Sequence, residues 1–192
     1  MKNLITKFID IPITYDGTQL APHWIYRRLN LCGNALVSFI GKADVTIDQM
    51  VDLEDVKSMS PIYSELMLHF IAEFFDMDLE KTVYRQRLLM VNIKERLEER
   101  LKRPLIRKGD DIYDGDKKLT VSIATLSPAS TLIHAGINIS SRNTPVPTRG
   151  LMDYDIIPEA FAKSVLDVFR LELESSWLAR CKVRAAKGHP EM

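Results

Sequence analysis

Residues 106–139 read IRKGDDIYDGDKKLTVSIATLSPASTLIHAGINI, and this stretch decides the fold. Asp114-Gly115-Asp116 is a hairpin turn, because aspartate and glycine tolerate the positive φ that a tight turn requires. Apolar and β-branched runs flank it, at Ile106–Tyr113 and Lys118–Thr125. Ser127-Pro128 turns the chain again, and Thr131–Ile139 is a further strand. The expectation is one sheet pairing residues 106–113, 117–126 and 130–140.

Outward from this core the pattern is mixed. Leu4–Thr14 is apolar and β-branched and reads as a strand; Asp16-Gly17 turns it into a short helix through Trp24, Ile25 and Leu29. Ala35–Ile40 is a strand that Gly41 is expected to end, and residues 47–60 read as short helix or loop. In Leu66–Phe75, Leu68, Phe70, Ala72 and Phe74 alternate with His69, Ile71 and Glu73, the period of a strand. Leu79, Val83, Met90, Ile93, Leu97 and Leu101 mark the buried face of a helix over 78–102, capped by Asp76 or Asp78 and stopped by Pro104. Phe161, Val165, Val168, Phe169, Leu173 and Trp177 line a second long helix over 158–180, with Pro158 at its start. The fold class is therefore α/β (α+β): a mixed, largely antiparallel sheet packed by helices.

The 192 residues suffice for a single domain, 1–192, with the informative core at 105–140. Lys plus Arg number 26 and Asp plus Glu 26. That balance argues against a nucleic-acid binder, which needs excess positive charge. The most apolar run, Leu66–Phe75, is about half the length a bilayer span requires, and Lys7 and Asp10 interrupt the N-terminus before a signal core forms. A soluble, cytoplasmic protein without a membrane partner is expected. Cys32 and Cys181 are far apart and in no Cys-x-x-Cys pair, so they are expected as buried or half-buried thiols.

Three blocks resemble the catalytic core of biotin protein ligases. Gly109-Asp110-Asp111-Ile112-Tyr113 is similar to their Pro-Asn-Asp-Ile-Tyr motif, Lys118-Leu119-Thr120-Val121-Ser122-Ile123 to Lys-Leu-x-Gly-Ile, and Ala135-Gly136-Ile137-Asn138 to Gly-x-Gly-Ile-Asn. Lipoate protein ligases share the fold, which is related to class II synthetases, and the same order of blocks. The whole chain is also identified as a member of the small archaeal and bacterial domain-of-unknown-function family 366, through MVDLEDV (50–56), QRLL (86–89) and KLTVSIAT (118–125).

The ligase resemblance implies roles. Lys118 would steady a ligand carboxylate and the phosphate of an acyl-adenylate. Asp110 and Asp111 would hold magnesium beside ATP, and Asn138 would contact the nucleotide. Arg107 and His134 lie beside these blocks and are added as a second positive charge and a ligand-facing histidine. This chain also departs from the pattern. Asp110 stands for an asparagine and Val121 for a glycine, and no glycine- and arginine-rich loop occurs between residues 30 and 60.

Two classes of function follow. One is a nucleotide- or small-carboxylic-acid-binding protein, with adenylate-forming acyl transfer as its enzymatic version. The other is a non-catalytic, homodimerising interaction protein that kept the scaffold. A deep cleft with Lys118, Arg107 and the aspartates pointing in would support the first, and a filled pocket the second. Plainer roles stand beside each residue: an exposed strand lysine at 118, turn aspartates at 110 and 111, a strand-end Asn138 and a core His134. His69 and Glu73 share a strand face and would suit a metal or acid–base pair. The acids from Asp48 to Asp55 read as a solvated face or a divalent-metal site, and Gln86-Arg87 would reach a phosphate or a neighbouring carboxylate.

Overall fold

The computed structural model describes residues 4–59, 62–144 and 146–184. Its main sheet has the order β1-β2-β3-β8-β7, with β1 Ile5–Ile9, β2 Ala35–Val45, β3 Ile62–Phe74, β7 Thr120–Leu126 and β8 Thr131–Asn138. β1 and β2 are parallel and the other pairs antiparallel. No helix is long and apolar enough to cross a membrane among the described residues.

The alternation in β3 sorts its two faces. Leu68, Phe70, Ala72 and Phe74 enter the main core, beneath Leu89, Met90, Ile93 and Leu97 of α3 (Leu79–Leu101) and Phe161, Val165 and Phe169 of α4 (Pro158–Cys181). Ile71, on the opposite face, joins Val37 and Phe39 of β2 in a second core closed by α1 (Trp24–Leu29) and Tyr15. Burying both faces explains why β3 is apolar beyond simple alternation.

Gly41 does not end β2. The strand bulges between Gly41 and Ala43 and runs on to Val45. A Cβ at Gly41 would lie 1.8 Å from the Ile13 carbonyl oxygen, so only glycine admits the crossing backbone. β1 correspondingly stops at Ile9, and after Pro12 the chain returns to β2 through Ile13 N–H to Ile40 O and Tyr15 N–H to Lys42 O.

Residues 106–126 divide between two sheets rather than joining one. β4 Ile106–Lys108, β5 Asp111–Asp114 and β6 Lys117–Lys118 form a separate three-stranded sheet around the expected Asp114-Gly115-Asp116 turn. Leu119 is the seam. Its N–H donates to Ile112 O in the small sheet, and its carbonyl accepts from Asn138 N–H in the main one.

Three surface expectations are corrected. Leu79 is exposed, and the first turns of α3 bury Thr82, Arg85 and Gln86 instead. Arg85 lies over the Phe74 ring and pairs with Asp76, so its aliphatic stem fills the apolar role. Trp177 is exposed because α4 runs on past Leu173, its last buried residue. Both cysteines are exposed: Cys32 follows α1 and Cys181 ends α4, beyond either core.

Candidate functional site

The face of the main sheet away from α3 and α4 carries a cleft of about 490 Å³. Its floor is Met67 of β3, Val121 and Ile123 of β7 and His134 and Asn138 of β8; α2 (Leu53–Lys57) and the turn before it close one side, and the small sheet brings Lys118, Asp110 and Asp111 to the other.

Lys118 is held by its backbone. Its N–H donates to Pro147 O, and its carbonyl accepts from Arg149 N–H. The side chain then meets Asp111, with Nζ 2.8 Å from Oδ2, at side-chain exposures of 29% and 23%. Burial pushes the Asp111 carboxyl up, and the Lys118 ammonium opposes that shift. An ammonium has three donors, so this pair leaves Lys118 with capacity toward the cleft.

Asp110 is already committed. Oδ1 accepts from Arg87 at 3.0 Å, while Oδ2 accepts from Gln86 Nε2 at 3.0 Å and Ser122 Oγ at 3.2 Å. Gln86 and Arg87 thus reach a neighbouring carboxylate. Gly109, at φ 63, places Asp110 there; a Cβ on it would lie 2.8 Å from the Arg87 guanidinium. Arg107 does not join the group: it is exposed on β4, and its guanidinium donates to Gly109 O.

His134 and Asn138 are 2% and 6% exposed and both line the cleft. Tyr15 stacks on His134 at 3.8 Å between ring centroids. His69 Nε2 lies 3.3 Å from Gly41 O, and His69 Nδ1 lies 3.1 Å from His134 Nε2. A carbonyl only accepts, so Nε2 of His69 carries its proton and Nδ1 accepts from His134 Nε2–H. His134 Nδ1 is left as an acceptor with no partner among the described residues. Desolvation lowers His69 to about 3 and His134 well below its ordinary value, so both rings are neutral. The Asn138 side-chain amide likewise has no hydrogen-bond partner among the described residues.

The His69–Glu73 pair does not assemble. Both face the same side of β3, but four strand residues span about 13 Å. Glu73 accepts from His23 N–H and Ser130 Oγ, each at 2.7 Å. No three His, Cys, Asp or Glu side chains converge on a metal position among the described residues.

Asp52, Glu54 and Asp55 line the wall opposite the sheet. The order of the sequence conceals this, since more than fifty residues separate them from Lys118. Asp52 caps α2 by accepting from Glu54 N–H. Asp55 is pushed up by burial and by Asp52, and held down by Lys118, which places it within the field of that ammonium.

The sheet order and helix layer define a biotin/lipoate protein ligase fold. Biotin protein ligase from Aquifex aeolicus in complex with biotin and ATP aligns with a TM-score of 0.60 at 16% identity, over 91% of this chain and 72% of that one. The chain belongs to the family described as Domain of unknown function (DUF366), whose model matches residues 4–184. A Pyrococcus horikoshi protein of unknown function aligns with a TM-score of 0.89 at 34% identity, over 96% of this chain and 100% of that one. An uncharacterized Methanocaldococcus jannaschii protein is 36% identical over 154 residues, 78% of this chain and 70% of that protein.

Proposed function

We propose that this protein binds a small carboxylic acid in the cleft, with Lys118 Nζ receiving the acid group. The observation that carries the reading is the position of Lys118. Among the described residues it is the one Lys or Arg lining a 490 Å³ cleft, and Asp111 is its sole ion-pair partner. A cleft of this size suits a small molecule, with apolar walls from Val45, Ile62, Met67 and Val121 and a few placed polar groups.

Adenylate-forming acyl transfer is the larger reading that the ligase fold suggests, with ATP joining the acid and magnesium at Asp110 and Asp111. The donor set fits magnesium poorly. Both Asp110 oxygens already accept from Arg87, Gln86 or Ser122, and Asp111 is held by Lys118. A triphosphate would also face three lining carboxylates, Asp52, Glu54 and Asp55, that have no ion pair among the described residues, while Lys118 already pairs with Asp111. Acid binding without adenylation is therefore the reading the side chains favour.

The test is a thermal-shift panel of small carboxylic acids on the intact chain, with and without ATP and magnesium. Binding to the native state raises the midpoint. An acid that stabilises alone supports the proposal. Stabilisation only by an acid together with ATP and magnesium moves the reading to the ligase reaction, and no stabilisation by any acid ends it.

A further inference from the structure

Charge in the cleft is lopsided beyond what a simple acid would need. Two of its five carboxylates are neutralised within the protein, Asp110 by Arg87 and Asp111 by Lys118. Asp52 spends one oxygen on the cap of α2. Glu54 and Asp55 have no side-chain hydrogen bond or ion pair among the described residues, and Asp55 is half-buried. A bare carboxylic acid would bring further negative charge against this wall, and like charges at close range repel.

Two buried polar groups independently mark the cleft as built for a ligand. Asn138 is 94% buried and lines the cleft, and its side-chain amide has no partner among the described residues, so it is open to a ligand there. His134 is 98% buried, and the bonding chain from Gly41 through His69 fixes its tautomer so that Nδ1 offers a lone pair. The lone pair asks for a donor, as do the free carboxylates, while Lys118, paired with Asp111, keeps further N–H donors for an acid group.

Resting on the acid-binding reading above, we infer that the ligand is an amine-bearing carboxylic acid, with its acid group at Lys118 and its ammonium on the wall formed by Asp55 and Glu54. An ammonium supplies up to three donors and one positive charge. A divalent metal fits less well, since no three ligating side chains converge among the described residues.

The experiment is calorimetric titration of the intact chain with a panel of α- to ω-amino acids, each paired with the same acid lacking the amine. The inference expects at least one amino acid to bind, its desamino partner to bind roughly tenfold or more weakly, and Asp55→Asn to erase the difference. Circular dichroism confirms that the variant folds, and the wild-type comparison needs no variant. Equal binding of an amino acid and its desamino partner overturns the inference and leaves acid binding standing. Binding of neither class overturns both.

Discussion

Lys118 Nζ and Asp111 Oδ2 are 2.8 Å apart on the wall of the cleft, where burial works against the charge that the lysine stabilises. Removing the lysine removes the opposing influence. Lys118→Met is expected to raise the Asp111 pKa further above the ordinary carboxylate range. Carboxyl-detected NMR titration of wild type and variant measures it; an unchanged Asp111 titration would mean that the pair is not formed in solution.

The neutral histidines predict a pH dependence of stability. Both have folded-state pKa values below that of the unfolded chain. The unfolded state therefore binds more protons, and stability present above about pH 6.5 falls as pH drops toward the folded values. Each histidine contributes up to about 1.4 kcal/mol per pH unit. Denaturant unfolding between pH 7 and 5 should approach a two-proton slope, and His134→Phe should reduce it toward one. A flat profile would mean that the rings are solvated.

A Cβ at Gly136 would sit 2.4 Å from Met67 Sδ and 3.3 Å from Val121 Cγ2 on the cleft floor. Gly136→Ala is expected to cost about 1–3 kcal/mol through overpacking. Met67→Ala costs stability alone but makes room for the new methyl. The double variant should therefore be more stable than the two single costs predict, and strict additivity in denaturation midpoints would show that the residues do not touch.

Asp114 ties β5 to Arg103 just after α3 and to Arg149 and Tyr154. It accepts from Arg103, from Arg149 at 3.1 Å and from the Tyr154 hydroxyl at 2.7 Å. The Arg103 guanidinium foremost holds its carboxyl well below the usual range, and burial, then the bond to Asp114, pushes Tyr154 up to about 12. The contribution of Asp114 is present above the ordinary carboxylate pKa of about 4 and is lost as pH falls toward its depressed value. With both arginines more than a third exposed, Asp114→Asn is expected to cost only about 1–2 kcal/mol at neutral pH. The variant should also lose less stability than wild type between pH 5 and 3, as read by urea midpoints.

Particular residues show what a linear reading reaches. Alternation from Leu66 to Phe74 marks β3 because one face meets two helices and the other carries His69 and Glu73. The split between the two sheets is concealed because Leu119 bonds both ways without any break in its apolar pattern. Lys118, Asp110, Asp111, Asn138 and His134 all reach one cleft, having been grouped by resemblance to a motif. Arg107 fell into that group through proximity in sequence, yet points elsewhere. The acids at 52–55 were visible as charges, but which surface they face depends on how β2 and β3 bring α2 over the sheet.

The most direct measurement is the affinity of a bound carboxylic acid for wild type, Lys118→Ala and Lys117→Ala. Losing a charge-assisted contact typically costs about 1.5–3 kcal/mol, so Lys118→Ala should weaken binding roughly 10- to 150-fold. Lys117, outside the cleft lining and adjacent on the strand, should change it little, since neighbouring strand residues point to opposite faces. Undiminished binding to Lys118→Ala, or a larger loss from Lys117→Ala, would contradict Lys118 as the anchor of the ligand.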